Sequence, residues 1–384
     1  MMLRHLKASG LLSFGPTGID LPLRPLNVLI GPNCSGKSNF LELLALIRAA
    51  PSRLTAPIKE TGGVAEWLWQ GQGASVVADL EALVGYPGGP GDLRHGLQIS
   101  AADDRLLVVA ERVAYNGSDK GPAYQMANGV PTLRGEAGHE RYLRADTLRT
   151  DESVLSQVRD KEQYPALFQL QSNYERIRLY RNWTFGTGAA VRRRQATTAA
   201  SDVLADSGDN LALVLNRIRN SLSRRQLQSA LATLIDGATD LHIDIRDGNI
   251  QLLLEESAHR PAVPASRLSD GTLRYLYLVA ALLQPDPPPL VAIEEPELGL
   301  HPDLMHEVAK LLRSARERTQ VVVTTHSREL VDALSDDPEA VVVCERVAGE
   351  SRFRRLDAGQ LAAWLSDYTL GRLWADGELG GNRW

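Results

Sequence analysis

The chain has 384 residues, long enough for one large or two ordinary domains, and its 43% hydrophobic and 23% charged residues fit a water-soluble globular protein. No apolar run approaches the roughly 18 residues needed to span a bilayer, and MMLRHLKASG is not followed by an apolar core and cleavage site, so neither an anchor nor a signal peptide is expected. Cys34 and Cys344 give no disulfide framework and fit a reducing cytoplasm, while a net charge of −5 excludes a surface coated in positive charge but not a local basic groove.

In chain order, Leu26 to Ile30 (LNVLI) is a continuous apolar run that predicts a buried strand. Asn39 to Ala50 (NFLELLALIRAA) is apolar at helical spacing and free of Gly and Pro, so the loop between them completes a strand–loop–helix unit. From about Pro51 to Tyr142 the chain is rich in Gly and Pro, with strand-like pieces at Leu97 to Ser100 and Arg105 to Val113 and a turn cluster at Gly85 to Asp92. One long helix is predicted from about Asp209 to Ile235, with Leu211, Val214, Leu215, Ile218, Leu222 and Leu227 on its apolar stripe. A hairpin follows: Leu241 to Ile245, the turn Asp247-Gly248-Asn249, then Ile250 to Leu254. The last third alternates between helices at Gly271–Leu283, Pro302–Arg318 and Arg328–Leu334 and strands at Leu290–Ile293, Val321–Thr324 and Ala340–Val343, which predicts a mostly parallel, covered sheet.

Two motifs carry chemistry. Gly31 to Ser38 reads GPNCSGKS and matches G-x-x-x-x-G-K-[ST] at every fixed position. Glycines let backbone N–H groups turn inward around a phosphate, Lys37 brings a point charge to the β- and γ-phosphates, and the Ser38 hydroxyl suits Mg²⁺. Cys34, inside the loop, reads as a variable position whose backbone matters. Leu290 to Glu295 (LVAIEE) is an apolar strand ending in two carboxylates, at the sheet edge where ligands of open α/β sheets collect. Glu294 is the candidate Mg²⁺ carboxylate and Glu295 the candidate base that orients or deprotonates water.

GPNCSGKS (31–38), RLSDGTLR (267–274), LVAIEEPELGLHP (290–302) and VVVTTHS (321–327) occur in that order. The set resembles the ABC-type ATPase superfamily, and E-E-P-E-x-x-L-H-P is similar to its soluble RecF-like, SMC-like and overcoming-lysogenization-defect branch, in particular to stand-alone ATPases of bacterial defence. The resemblance implies an α/β fold: an ABC-type P-loop ATPase with a mostly parallel core sheet, an antiparallel N-terminal β subdomain and an inserted α/β arm. It implies lobes at 1–95 and 265–384 flanking an insertion at 96–264. ATP and Mg²⁺ are the implied cofactors, with Gly31, Pro32, Asn33, Cys34, Ser35, Gly36, Lys37, Ser38 and Asn39 around the nucleotide. Ser269 and Gly271 would contact the γ-phosphate held by a second copy, His326 would sense it, and the sites would close only in a head-to-tail homodimer. Asp270 and Thr272 depart from the usual Gly and Gln of the signature, and Glu294 stands where Asp is usual. Gln70 and Gln72 in WLWQGQG are the candidates for the glutamine that couples the lobes.

The insertion is expected to be a compact arm rather than a long coiled coil, since no heptad pattern continues past the one helix. Within it, Arg176, Arg178, Arg181, Arg192, Arg193 and Arg194 interleave with Tyr180, Trp183 and Phe185, and Arg217, Arg219, Arg224 and Arg225 form a second group. Such a pattern suits DNA phosphates and bases, or equally a solvated face or acid-pairing interface. Trp364, Trp374 and Trp384 in the tail either pack on the body or offer a docking surface. His301 reads as a packing or hydrogen-bonding residue. The expected function is an ATP-gated dimeric switch acting through a separate effector in phage defence or DNA surveillance, with a RecF-like repair ATPase that binds DNA directly as the alternative. A transporter subunit is disfavoured by the large insertion, and a nucleotide-binding module without turnover by Glu295.

Overall fold

The computed structural model describes all residues except 74, 76, 118–120, 128, 136–137, 145–146, 182, 235–237, 257–261 and 382–384. They fall into two compact units, one of Met1–Ile177, Glu339–Leu356 and the stretch from Gly377, the other of Arg178–Pro338 and Asp357–Asp376.

In the first unit, β1 (Leu3–Ser9) and β2 (Ile19–Pro22) lead to β3 (Leu26–Ile30), whose five residues are all buried. Helices α1 (Lys37–Ala49), α2 (Thr55–Glu60) and α3 (Val64–Trp67) follow, α1 burying Phe40, Leu41, Leu43, Leu44, Leu46 and Ile47. Next come β4 (Val77–Val84), β5 (Leu93–Ala102), β6 (Arg105–Tyr115), β7 (Tyr124–Ala127), β8 (Val130–Arg134) and β9 (Glu140–Tyr142). These strands join β1 and β2 in an antiparallel sheet of order β2-β1-β4-β5-β6-β7-β8-β9. Along β4 buried residues alternate with more exposed ones, as a sheet with one covered face requires.

Helices α4 (Val154–Gln157) and α5 (Pro165–Glu175) are pinned to this sheet by a buried carboxylate. Glu111 accepts from His95 Nε2 at 3.0 Å, Ser153 Oγ at 2.5 Å and the Val154 N–H at 2.8 Å. The Tyr174 hydroxyl lies 3.2 Å from His95 Nδ1. A buried charge persists only when its lone pairs are answered in this way.

The second unit begins with β10 (Arg178–Tyr180) and β11 (Gln195–Ala196). The single helix expected over 209–235 is instead two, α6 (Leu211–Arg219) and α7 (Arg224–Leu234); residue 235 lies outside the described residues. Asn220 and Ser221 turn back on α6, donating from side-chain Nδ2 and Oγ to the carbonyls of Asn216 and Ile218 at 2.8 Å each. Side chains that compete for backbone partners end helices. Leu222, assigned to the apolar stripe, therefore sits fully exposed in the break, whereas Leu211, Val214, Leu215, Ile218 and Leu227 are buried.

The hairpin β12 (Ala238–Arg246) and β13 (Asn249–Glu256) turns at Asp247 and Gly248, with φ of 51° and 71°. Two left-handed residues make the type I′ turn that suits strand twist. After β14 (Val263–Pro264) come α8 (Asp270–Leu283), β15 (Leu290–Glu294), α9 (Met305–Ala315), β16 (Gln320–Thr325) and α10 (Arg328–Asp332). Strands β10, β15 and β16 pair in parallel. All six residues of β16 (QVVVTT) are buried, the pattern of a parallel strand covered on both faces. Burying one Val or Ile is worth roughly 1.5–3 kcal/mol.

Returning to the first unit, β17 (Val341–Val347) pairs in parallel with β3 and antiparallel with β18 (Glu350–Arg355). The second unit closes with α11 (Ala358–Leu365) and α12 (Leu370–Ala375). Trp374 is buried in α12 while Trp364 in α11 is exposed, so the tail tryptophans divide between packing and surface; Trp384 lies outside the described residues. The longest described helix, α8, has 14 residues. Among the described residues no helix is long and apolar enough to cross a membrane.

Candidate functional site

The first unit holds the phosphate loop, Gly31–Gly36, between β3 and α1. Gly36 caps the helix at φ 101°, and a Cβ there would lie 2.2 Å from Ser351 Oγ and 2.9 Å from Ser13 Oγ. At Gly31 a Cβ would lie 2.2 Å from the Cys344 carbonyl oxygen. The loop is thus folded tightly against β17, β18 and the turn after β1. Ser351 Oγ is 2.6 Å from Ser13 Oγ, which also accepts from Asn39 Nδ2 at 2.7 Å. Cys34 takes φ 64°, a left-handed turn that directs the chain around the loop.

Lys37 is buried, and its Nζ donates to the carbonyls of Gly31 at 2.8 Å and Pro32 at 3.0 Å. Ser35 Oγ is buried with no hydrogen-bond partner, and α1 starts with no acidic residue and no side-chain cap. A buried orphan hydroxyl beside an uncapped helix N-terminus suits a phosphate. Pro32, Asn33, Cys34, Ser38 and Asn39 lie at least partly open to solvent. Gln70 Nε2 is taken by its own turn, donating to Ala65 O at 2.6 Å and Leu68 O at 3.2 Å, and the Gln72 carbonyl accepts from Trp69 Nε1 at 3.2 Å.

The second unit holds the acids, the histidine and the signature. β15 delivers Glu294 at its end, and Glu295 turns at φ 47°. The Glu295 N–H donates to Thr324 O at 3.0 Å and lies 3.3 Å from Thr324 Oγ1, so the end of β16 fixes that strained residue. Glu295 Oε1 is 3.5 Å from His326 Nε2, and both side chains are about one-third exposed. The His326 N–H donates to Glu297 Oε1 at 2.6 Å, and Ser327 caps α10 by accepting from the Leu330 N–H at 3.1 Å.

Glu297 was not singled out from the sequence, although its place as third acid of EEPE is the signal that marks it. Its Oε2 is buried with no hydrogen-bond partner, and burial raises its carboxyl above the usual range against the lowering pull of the His326 N–H. Ser269 caps α8, accepting from the Thr272 N–H at 3.0 Å. A Cβ at Gly271 would lie 2.9 Å from Gly299 O, so the backbone of the loop after β15 comes close to the start of α8 there. Asp270 forms an ion pair with Arg192. His301 accepts from the Asp303 N–H at 3.4 Å and caps the short 3₁₀ turn Pro302–Leu304.

Tyr180, Trp183, Phe185 and several of the neighbouring arginines are engaged within the second unit. Tyr180 and Phe185 are 1% and 4% exposed, and Trp183 packs 5.2 Å from the Tyr277 ring, which leaves the two buried rings unable to stack on bases. Arg217 and Arg219 pair with Asp202 and Asp240. Arg193, Arg194, Arg224 and Arg225 are exposed.

Mg²⁺ takes one or two protein oxygens and completes its shell with phosphates and water, and the Ser38 hydroxyl of the first unit and the Glu294 carboxylate of the second are each oxygen donors of that kind. The described residues contain no cluster of three or more His, Cys, Asp or Glu able to hold a metal. The phosphate loop and the acid-tipped parallel strands define an ABC-type P-loop ATPase of the RecF/SMC branch. The chain belongs to the family described as "AAA domain, putative AbiEii toxin, Type IV TA system", whose match covers residues 117–332 and so takes in the signature, both acids and His326. No curated protein matches the chain by sequence.

Among solved structures the chain is similar to the SmcHead bound to the C-winged helix domain of ScpA, with a TM-score of 0.58, 13% identity and coverage of 93% of this chain and 99% of that one. It is also similar to the Smc head domain with an extended coiled coil bound to the C-terminal domain of ScpA from Pyrococcus furiosus (0.57, 12%, 95% and 98%). A third is the SMC head domain from Thermotoga maritima (0.50, 16%, 93% and 100%). At these identities the likeness is one of fold.

Proposed function

We propose that the chain binds and hydrolyses ATP with Mg²⁺ and works as an ATP-gated switch that closes as a head-to-tail homodimer. The observation that carries the reading is the pairing at the ends of β15 and β16: Glu295, held in a left-handed turn by Thr324, with His326 at 3.5 Å. Lys37 leaves its loop carbonyls for the β- and γ-phosphates, and the N–H groups of 33–38 take the phosphate oxygens. When bound, Mg²⁺ neutralises charge between those phosphates, with Ser38 and Glu294 as its protein oxygens. Glu295 orients the attacking water and accepts its proton, and His326 reads the γ-phosphate. Ser269 and Gly271 face the nucleotide of the second copy. Lobes at 1–95 and 265–384, with an insertion at 96–264, belong to the same proposal.

A role in phage defence or DNA surveillance in the cytoplasm, with a separate effector executing the response, belongs to this reading; the family described for residues 117–332 is itself named for a putative toxin of a Type IV TA system. Exposed Arg193, Arg194, Arg224 and Arg225 favour a second reading in which the dimer binds DNA directly, as a RecF-like repair ATPase would. Light scattering after size exclusion on Glu295→Gln, with and without ATP and a short duplex, separates them. Doubling of mass with ATP alone supports the effector switch, and co-eluting duplex supports direct DNA binding. A mass unmoved by ATP removes the sandwich dimer, and hydrolysis at the parental rate removes Glu295 as the base.

A further inference from the structure

Arg181, Trp183, Phe185 and Arg192 lie outside the four ATPase motifs, yet their contacts run between two of them, the acidic strand end and the signature. β10 runs parallel to β15 with Tyr180 opposite Ile293, so the next residue, Arg181, falls beside Glu294. Its Nε donates to Glu294 Oε2 at 3.0 Å, with the two side chains 22% and 20% exposed. Trp183 Nε1 donates to the Glu294 carbonyl at 3.0 Å.

From there the segment turns toward the signature. Arg274, on α8, places its guanidinium 5.6 Å from the Trp183 ring and 5.1 Å from the Phe185 ring, and its Nη1 is buried without a hydrogen bond. Arg192 donates through Nε to Phe185 O at 2.7 Å and through Nη1 to Leu268 O at 2.6 Å, besides pairing with Asp270. Arg181, Trp183, Phe185 and Arg192 thus form one run of polar and ring contacts from the carboxylate to the turn that starts α8.

We propose that Arg181, Trp183, Phe185 and Arg192 form a sensor strap in which Arg181 is a positioning residue, holding the Glu294 carboxylate as its counter-ion until divalent-cation binding displaces the guanidinium. Trp183, Phe185 and Arg192 then carry that displacement to Leu268–Asp270. The proposal rests on the reading of Glu294 as the metal carboxylate. A guanidinium on the same carboxylate oxygen competes with a cation, because one anionic acceptor cannot satisfy both at full strength. The strap therefore makes the signature's posture depend on whether Mg²⁺ has arrived with the nucleotide.

The test titrates Mg²⁺ against the full chain with a fluorescent non-hydrolysable ATP analogue, reading anisotropy, alongside hydrogen exchange at the amides of Leu268–Thr272. Removing the competing cation in Arg181→Gln is expected to lower the Mg²⁺ midpoint by roughly tenfold, since hydrogen bonds to charged groups are worth enough for a shift of that size. Arg181→Lys should fall between the two. Trp183→Phe keeps a ring but loses the N–H, and should abolish the Mg²⁺-dependent change in exchange at Leu268–Thr272 that the parent shows. A midpoint raised or unchanged in Arg181→Gln overturns the strap, and so does a persisting exchange response in Trp183→Phe. Should Arg181→Gln fold poorly, Trp183→Phe decides alone. Glu294→Gln separates the premise: a midpoint that does not rise in it defeats the metal role of Glu294, whereas a failure confined to the Arg181 and Trp183 variants defeats the strap.

Discussion

Gly36→Ala isolates what the phosphate loop needs from its backbone. At φ 101° an L-residue is strained, which costs about 1–3 kcal/mol. The added methyl would also stand 2.2 Å from Ser351 Oγ, and Ser351 is completely buried, so its hydroxyl has no solvent to turn into. Relief means breaking Ser351 to Ser13 and Ser13 to Asn39, at about 0.5–1.5 kcal/mol each. The two contributions come to about 2–6 kcal/mol, a drop of roughly 0.7–2 M in the urea midpoint for a slope near 3 kcal/mol per molar. Two glycines serve as internal references in the same denaturation series. Gly248→Ala has φ 71° with open space around it, so only the strain applies, and Gly96→Ala has open space without a positive φ and should be near neutral. If Gly36→Ala proves no more costly than Gly248→Ala, the steric half of this account is wrong.

Further outcomes concern charge and reactivity. Lys37→Ala should abolish nucleotide binding, measured by anisotropy, while leaving the far-ultraviolet spectrum unchanged. Glu295→Gln should slow ATP turnover by ~10²–10⁴-fold in a phosphate-release assay, the range for loss of a general base. Burial raises the folded-state value of Glu297, so the protonated acid is favoured by folding below its unfolded value of 4.5 and that stability is lost as pH rises through the raised value. Glu297→Gln does not titrate, so its urea midpoint should gain on the parent's as pH rises above 4.5 and lose that gain as pH falls. Cys34 is exposed, whereas Cys344 is buried and its thiol is pushed well up by burial. A thiol reagent should therefore titrate one cysteine in the native protein and two after unfolding, and reaction of both at native-state rates would contradict the packing of β17.

The elements that could be read from the sequence are those whose cause is local. LNVLI, the glycine loop and the helix after it follow from apolar spacing and two glycines, and Asp247-Gly248 dictates its hairpin by turn geometry alone. The break between α6 and α7 was hidden because Leu222 continues the spacing of the stripe, while the side chains that end α6 are an Asn and a Ser that pattern counts treat as neutral. The arginines of the insertion were legible as a basic cluster but not as internal partners, since Arg181 meets Glu294 across 113 positions and no local pattern announces such a meeting. Glu297 was in plain view inside EEPE, and only its burial distinguishes it from the acids beside it. Ser13 and Ser351 carry no motif at all, yet their contact closes over Gly36.

That contact joins residues 338 positions apart. Strand β3 receives its parallel neighbour β17 only once residues 341–347 have been made. Until then Gly31 has no Cys344 carbonyl above it and Gly36 no Ser351 against it. Pairings of such sequence separation form slowly and late. A nascent chain would consequently display the phosphate-loop sequence without its finished cradle, and the ribosome must deliver the chain through Ser351 before that cradle can take hold of a nucleotide.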